Sequence, residues 1–121
     1  MSAAAARAER EMDWNMSSHV DTERVVTAPE ELSLESRVAF RRAALEALEG
    51  LPEGDGRLVL DLRGTRNVDS AGLTTLMLIQ RQAAARRQIV RLRGTHAELR
   101  VLLVLTKMDE LFELDPDRNG A

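Results

Sequence analysis

Apolar Met12, Trp14 and Met16 alternate with Asp13, Asn15 and Ser17, a period of two that predicts a half-buried strand. Ser18 to Asp21 reads as a turn region, and Glu23 to Ala28 (ERVVTA) as a second short strand, so the two predict an N-terminal hairpin. Pro29 ends the second strand because it has no amide to give to a ladder. A helix is expected from an N-cap at Ser33 through about Glu49, with Glu35 favourably placed in its first turn. Its apolar face is Leu34, Val38, Leu45 and Leu48, flanked by Phe40, Ala44 and Ala47; Arg41, Arg42 and Glu46 take the wet side. Gly50, Pro52, Gly54 and Gly56 then punctuate a loop.

Leu58 to Leu62 (LVLDL) is short, apolar and bounded by turn signals. It predicts a strand buried on both faces, as in a sheet flanked by helices. After the loop Arg63 to Val68, a helix is expected from about Ala71 to Arg87, with Leu73, Leu76, Met77, Leu78 and Ile79 making its first half apolar over more than one face. Ile89 to Leu92 reads as a strand, and Thr95-His96-Ala97-Glu98 as a capping box with Thr95 as the cap. The last helix runs through Leu99, Leu102, Leu103 and Leu105, and Leu111 to Leu114 is a final short strand. The order β-β-α-β-α-β-α-β predicts an α/β domain, a mixed or largely parallel β-sheet flanked by α-helices. Residues 1–10 read as a flexible N-terminal tail, 11–116 as the domain and 117–121 as a C-terminal tail.

Composition narrows what such a domain does. At 121 residues there is room for one core. With 2% aromatic residues (Trp14, Phe40, Phe112), that core is aliphatic, and the stacking platforms of most single-strand nucleic-acid binders are missing. Seventeen basic against twenty acidic residues give a net charge of −3, which argues against a general phosphate-backbone binder. No cysteine means no disulfide, thiolate nucleophile or Cys-based metal site, and the two histidines, His19 and His96, are too few for a His-based one. No cofactor or metal is expected. The opening residues carry no apolar h-region after their charges, and no apolar run approaches a membrane span, so a cytoplasmic protein is expected.

The segment with chemical potential is Val68-Asp69-Ser70-Ala71-Gly72-Leu73, between a buried strand and an apolar helix. Ser70 stands where the N-cap is expected, with the amides of Gly72 and Leu73 within reach of its Oγ. One reading is a cap and nothing more. In the other, the exposed hydroxyl beside orphan amides accepts a phosphate, which the helix dipole tolerates but a partner packed over the spot does not. A hydrolase is not expected. The position two before Ser70 is Val68 rather than the glycine of a nucleophile elbow, and no G-x-x-x-x-G-K-[ST] loop is present. Asp61, with Thr106-Lys107, bears a superficial likeness to a response-regulator receiver, but residues 12 to 32 place no acidic pair at a strand end. Asp61 is expected to anchor the loop Arg63 to Val68. The arginines at 81, 86, 87, 91 and 93 read as a solvated helix end and strand edge.

From about Val25 to Leu114 the chain resembles the STAS domain family and, within it, the bacterial anti-sigma factor antagonists. The strongest block is LVLDLRGTRNVDSAGL; IVRLRG and THAELRVLLVLTKMDELFEL resemble the family's fourth strand, last helix and final strand. The resemblance implies a non-enzymatic partner switch. The unphosphorylated protein binds an anti-sigma factor that is also a serine kinase, the kinase phosphorylates Ser70, and a separate phosphatase restores it. The implied partner surface is Asp69, Ser70, Gly72, Thr74, Thr75 and Leu78, with no nucleic acid and no direct membrane insertion. Glu31-Leu32-Ser33 stands where the family often has Glu-Leu-Asp, and helix ends usually closed by Gly carry Arg87-Gln88 and Lys107-Met108. Small STAS proteins with a similar motif also serve as accessory subunits of ABC-type lipid-transport complexes, and others as scaffold subunits of stress-sensing assemblies.

Overall fold

The computed structural model describes residues 22–115. In chain order it has β1 (Glu23–Thr27), β2 (Glu31–Leu32), α1 (Arg37–Glu49), β3 (Arg57–Asp61), β4 (Asn67–Val68), α2 (Ser70–Ala85), β5 (Ile89–Arg93), α3 (Ala97–Leu105) and β6 (Glu113–Leu114). The main sheet has the order β1-β3-β5-β6, and every pairing in it is parallel. Val25 lies opposite Val59, Leu60 opposite Leu92, and Leu92 opposite Leu114. Because each helix connects one strand to its next neighbour in the same direction, right-handed crossovers put all three helices on one face. The buried side chains agree. Leu58, Leu60, Leu62, Val90 and Leu92 share one core with Phe40, Ala44 and Leu48 of α1, Leu76, Ile79 and Ala83 of α2, and Leu99 and Leu103 of α3.

The α/β class and the sheet flanked by three helices are as the pattern predicts. An antiparallel contribution would have come from the expected strand Met12 to Ser17, which lies outside the described residues, as do the expected tails. Val59 is buried too, on the face away from the helices. That second face also carries the exposed Val25 and Ile89 among charged residues. Arg57 pairs with Glu113 at 3.1 Å and Arg91 with Asp115.

Several boundaries move. α1 begins at Arg37, not after Ser33; Ser33 opens a turn in which its carbonyl accepts from the amides of Ser36 and Arg37. Ser36 Oγ is drawn to the carbonyl of Glu31 and the amide of Ser33, so the chain turns once before the helix starts. Leu34 therefore leaves the core face and is 59% exposed, Val38 is exposed with it, and Phe40, Ala44, Ala47 and Leu48 form the buried stripe. Thr95 does not cap α3. The cap is His96, whose Nδ1 accepts from the Leu99 amide at 3.2 Å, while Thr95 Oγ1 accepts from Arg100. The final strand is shorter than expected, with Leu111 exposed in the preceding turn.

The helix ends lacking glycine are still closed as glycine would close them. Arg87 (φ 56) and Lys107 (φ 61) both sit in the left-handed region. The amides of Arg87 and Gln88 bond the carbonyls of Ala84 and Ala83, and those of Lys107 and Met108 bond Val104 and Leu103. This is a Schellman closure, at the cost of a left-handed conformation in a residue with a Cβ.

Candidate functional site

The site is built where the small parallel ladder of β2 and β4 meets the start of α2. Glu31 lies opposite Asn67 and Leu32 opposite Val68. Around this short ladder the amide of Arg66 donates to the Glu30 carbonyl at 2.7 Å, Thr65 Oγ1 to the Pro29 carbonyl at 2.8 Å, and Arg66 pairs with Glu30 at 3.1 Å. Asp61 secures the other end of the loop. Its carboxylate accepts from the Arg63 amide at 3.0 Å and from the Arg63 guanidinium at 2.8 Å, and this hydrogen bonding holds its pKa below the usual carboxylate value. The expected anchoring role of Asp61 is what the geometry contains.

Asp69 is the N-cap of α2. It is extended (φ −89°, ψ −176°), and Oδ1 accepts from the Gly72 amide at 2.8 Å. Its Oδ2 accepts from the Leu34 amide at 3.3 Å, and its own amide donates to the Leu32 carbonyl at 3.1 Å. One aspartate thus ties the helix start to the segment before α1. The expectation that Ser70 is the cap is corrected: Asp69 has both a carboxylate and the extended backbone that capping needs. Ser70 is the first helical residue, exposed, and its hydroxyl makes no hydrogen bond among the described residues.

Of the expected partner surface, Ser70 and Thr74 are exposed and Leu78 is 37% exposed, one turn apart along α2; Asp69 is exposed at its start. Two members face inward instead. Thr75 is 3% exposed, with its hydroxyl bonded to the Ala71 carbonyl. Gly72 is pressed against β2, where an added Cβ would lie 2.2 Å from the Leu32 carbonyl oxygen. Gly72 and Thr75 shape the site from below and take no part in its surface. The inward row Gly72, Leu76, Ile79 and Ala83 stands at helical spacing, and it fixes Ser70, Thr74 and Leu78 as the outward row.

Sequence reasoning missed two neighbours. Exposed Leu34 is joined to Asp69 through its amide, so apolar surface stands directly beside Ser70's helix start. A groove lined by Arg66, Asn67, Asp69, His96, Leu99 and Leu102 runs from the same point to α3. Neither was legible, because both depend on contacts between segments far apart in the chain. Chemically, the site is a free hydroxyl on a braced helix start. No described residue stands hydrogen-bonded to Ser70 as a base, and no His, Cys, Asp or Glu cluster suited to a metal occurs among the described residues. No described helix is long and apolar enough to cross a membrane.

Residues 16–114 match the family model described as "Mlab, STAS domain". No curated protein matches the chain. Among solved structures, the chain is similar to a Thermotoga maritima protein named provisionally as an anti-sigma factor antagonist: 18% identity, TM-score 0.67, covering 84% of this chain and 85% of that one. It is also similar to a sulfate transporter family protein of Wolinella succinogenes, at 17% identity and TM-score 0.63, covering 78% of each chain. A third likeness is to murine Solute Carrier 26 family member A9, an anion transporter, at 19% identity and TM-score 0.63, covering 81% of this chain and 17% of that one. At these identities the structural likenesses carry the fold.

Proposed function

Because the chain belongs to the STAS domain family, we propose that it is an anti-sigma factor antagonist whose surface around Ser70 binds an anti-sigma factor. Phosphorylation of Ser70 by that partner, acting as a serine kinase, switches the interaction off, and a serine phosphatase restores it. The likeness to the Thermotoga protein supports the partner class. The observation that carries the switch is the division of labour at the start of α2: Asp69 holds the cap while the exposed Ser70 hydroxyl is bonded to nothing described. Phosphate at that position adds about −1.5 to −2 charges to the surface without removing a bond from the fold. A partner seated on Ser70, Thr74, Leu78 and Leu34 would have to bury that charge.

The protein acts here by binding and release; Ser70 serves as a substrate for another enzyme and is not a nucleophile. Mass spectrometry of the protein purified from its own host, before and after incubation with the cognate kinase and ATP, tests the assignment. Phosphate on Ser70 that disappears in Ser70→Ala supports it. A kinase-competent partner that binds the protein yet leaves Ser70 unmodified contradicts it. The likeness to transporter-borne domains favours a second reading, an accessory subunit that docks on a transport complex through the same surface, with no phosphate involved. ATP-independent, unmodulated binding to an ABC-type lipid-transport ATPase is the result that reading requires.

A further inference from the structure

The groove that runs from Asp69 to the start of α3 has a volume of about 290 Å³. Pockets that enclose a small-molecule ligand span roughly 300–1,000 Å³, so a side chain presented by a docked protein suits this one better than a free metabolite. Its charge is one-sided. Asp69 and Glu98 both line it, and Arg66, the cation among its described lining residues, is already paired with Glu30 at 3.1 Å. The bonds that Asp69 accepts come from the neutral amides of Gly72 and Leu34, so its charge is not cancelled. Glu98 is exposed, and its carboxylate has no hydrogen-bond or ion-pair partner among the described residues. The two helix starts contribute about half a positive charge each, which leaves the groove net negative. Val68 and Leu102 supply apolar wall, with Leu102 39% exposed. His96 lines the same groove. With its Nδ1 taken by the Leu99 amide, its Nε2 is left without a hydrogen-bond partner among the described residues, a donor that a peptide carbonyl satisfies.

Apolar wall beside two carboxylates fits a long basic side chain, which lays its aliphatic stem on apolar surface and keeps its charged head among acceptors. We propose that this groove receives a lysine or arginine side chain of the anti-sigma factor, its stem against Val68 and Leu102 and its cationic head between Asp69 and Glu98. The inference rests on the reading of Ser70 as the centre of that partner's footprint, because the groove opens at Asp69, the next residue in the chain. It carries the footprint from α2 onto α3 and makes Glu98 a residue that selects the partner. Complementary charge of this kind steers encounter and rejects a partner that presents an acidic or neutral residue at the same place.

Titration calorimetry and stopped-flow association of the full chain with the cognate anti-sigma factor, with a thermal melt of each variant, test this. Glu98→Lys should weaken binding about tenfold or more and slow association, and the loss should shrink as salt is raised. Glu98→Gln should weaken it by less and melt close to the unmodified protein, which keeps the test sound should the charge reversal disturb the start of α3. Glu110→Lys makes the same charge change at an exposed position away from the groove and should bind as the unmodified protein does. Ser70→Asp keeps the two readings apart. Binding lost in Ser70→Asp but unchanged in Glu98→Lys would overturn the groove and leave the footprint at Ser70 standing. Equal losses in Glu98→Lys and Glu110→Lys would also overturn it, because net charge alone would then explain them. An anti-sigma factor that fails to bind even the unmodified protein would remove footprint and groove together.

Discussion

α2 and α3 each start from an extended residue whose side chain accepts the amide three residues on, Asp69 from Gly72 at 2.8 Å and His96 from Leu99 at 3.2 Å. Their anchorage differs. Asp69 also bonds Leu34, its amide bonds Leu32, and Gly72 behind it is pressed against the Leu32 carbonyl. His96 has a local cap, and its buried Nε2 has no hydrogen-bond partner among the described residues. The start of α2 is therefore braced by a second segment and leaves a neighbouring hydroxyl free. The start of α3 is tied to a distant segment only through the Arg100 side chain, which donates to the Thr95 hydroxyl and to the Asp115 carbonyl at 3.1 Å, and the helix turns an apolar face outward. A residue beside a braced start can change charge without moving its helix, which is the property a switch requires.

The sharpest way to break the comparison is Gly72→Ala. The new methyl meets backbone rather than a movable side chain, so β2 or α2 must shift, at roughly 1–3 kcal/mol. A denaturant melt reads this, and no loss of stability would mean that the brace is loose. Next is the cap itself. Asp69→Ala should cost about 0.5–2 kcal/mol, toward the upper end because the Leu34 amide loses its acceptor as well. His96→Ala should cost less, having a single local bond to lose. Equal losses in paired thermal melts would erase the distinction between the two starts.

Opposite in sign, Arg87→Gly and Lys107→Gly should each stabilise the protein by up to about 1 kcal/mol. They relieve the left-handed conformation while keeping the Schellman bonds. The smallest effect lies at Asp61. Its folded pKa is depressed by Arg63, so the stability it contributes is present above the ordinary carboxylate range and is lost as pH falls through the folded value. Asp61→Asn should flatten that acid limb in a series of melts against pH and leave the melts at neutral pH nearly parallel.

The order of strands and helices was legible because each long element carries its own signal: LVLDL as a buried run, and Leu73, Leu76 and Ile79 in the apolar first half of α2. Ser70 was legible as a candidate, but its local role was not. In Asp69-Ser70 and in Thr95-His96 two adjacent side chains can each cap, and only the backbone at the strand exit decides which one does. β2 and β4 are two residues long, too short to show any period. Leu34 fits a helical stripe in the sequence, yet the turn at Ser33–Ser36 takes it out of the helix and sets it beside Asp69. The exposed face of α3 has the composition of a buried helix, so only its packing reveals that half of it is uncovered.

The central claim is that charge on Ser70 acts on a partner and not on the fold. Titration calorimetry against the cognate anti-sigma factor, with thermal melts of the same samples, tests it on unmodified, Ser70-phosphorylated and Ser70→Ala protein. Since Asp69 is the cap, all three forms should melt within about 0.5 kcal/mol of one another. Ser70→Ala should bind as the unmodified protein does. An unpaired charge buried in the interface costs about 2–5 kcal/mol, so phosphorylation should weaken binding roughly 30- to 4,000-fold. Equal affinity of the phosphorylated and unmodified proteins, or a lost affinity accompanied by a collapsed melt, would contradict the account.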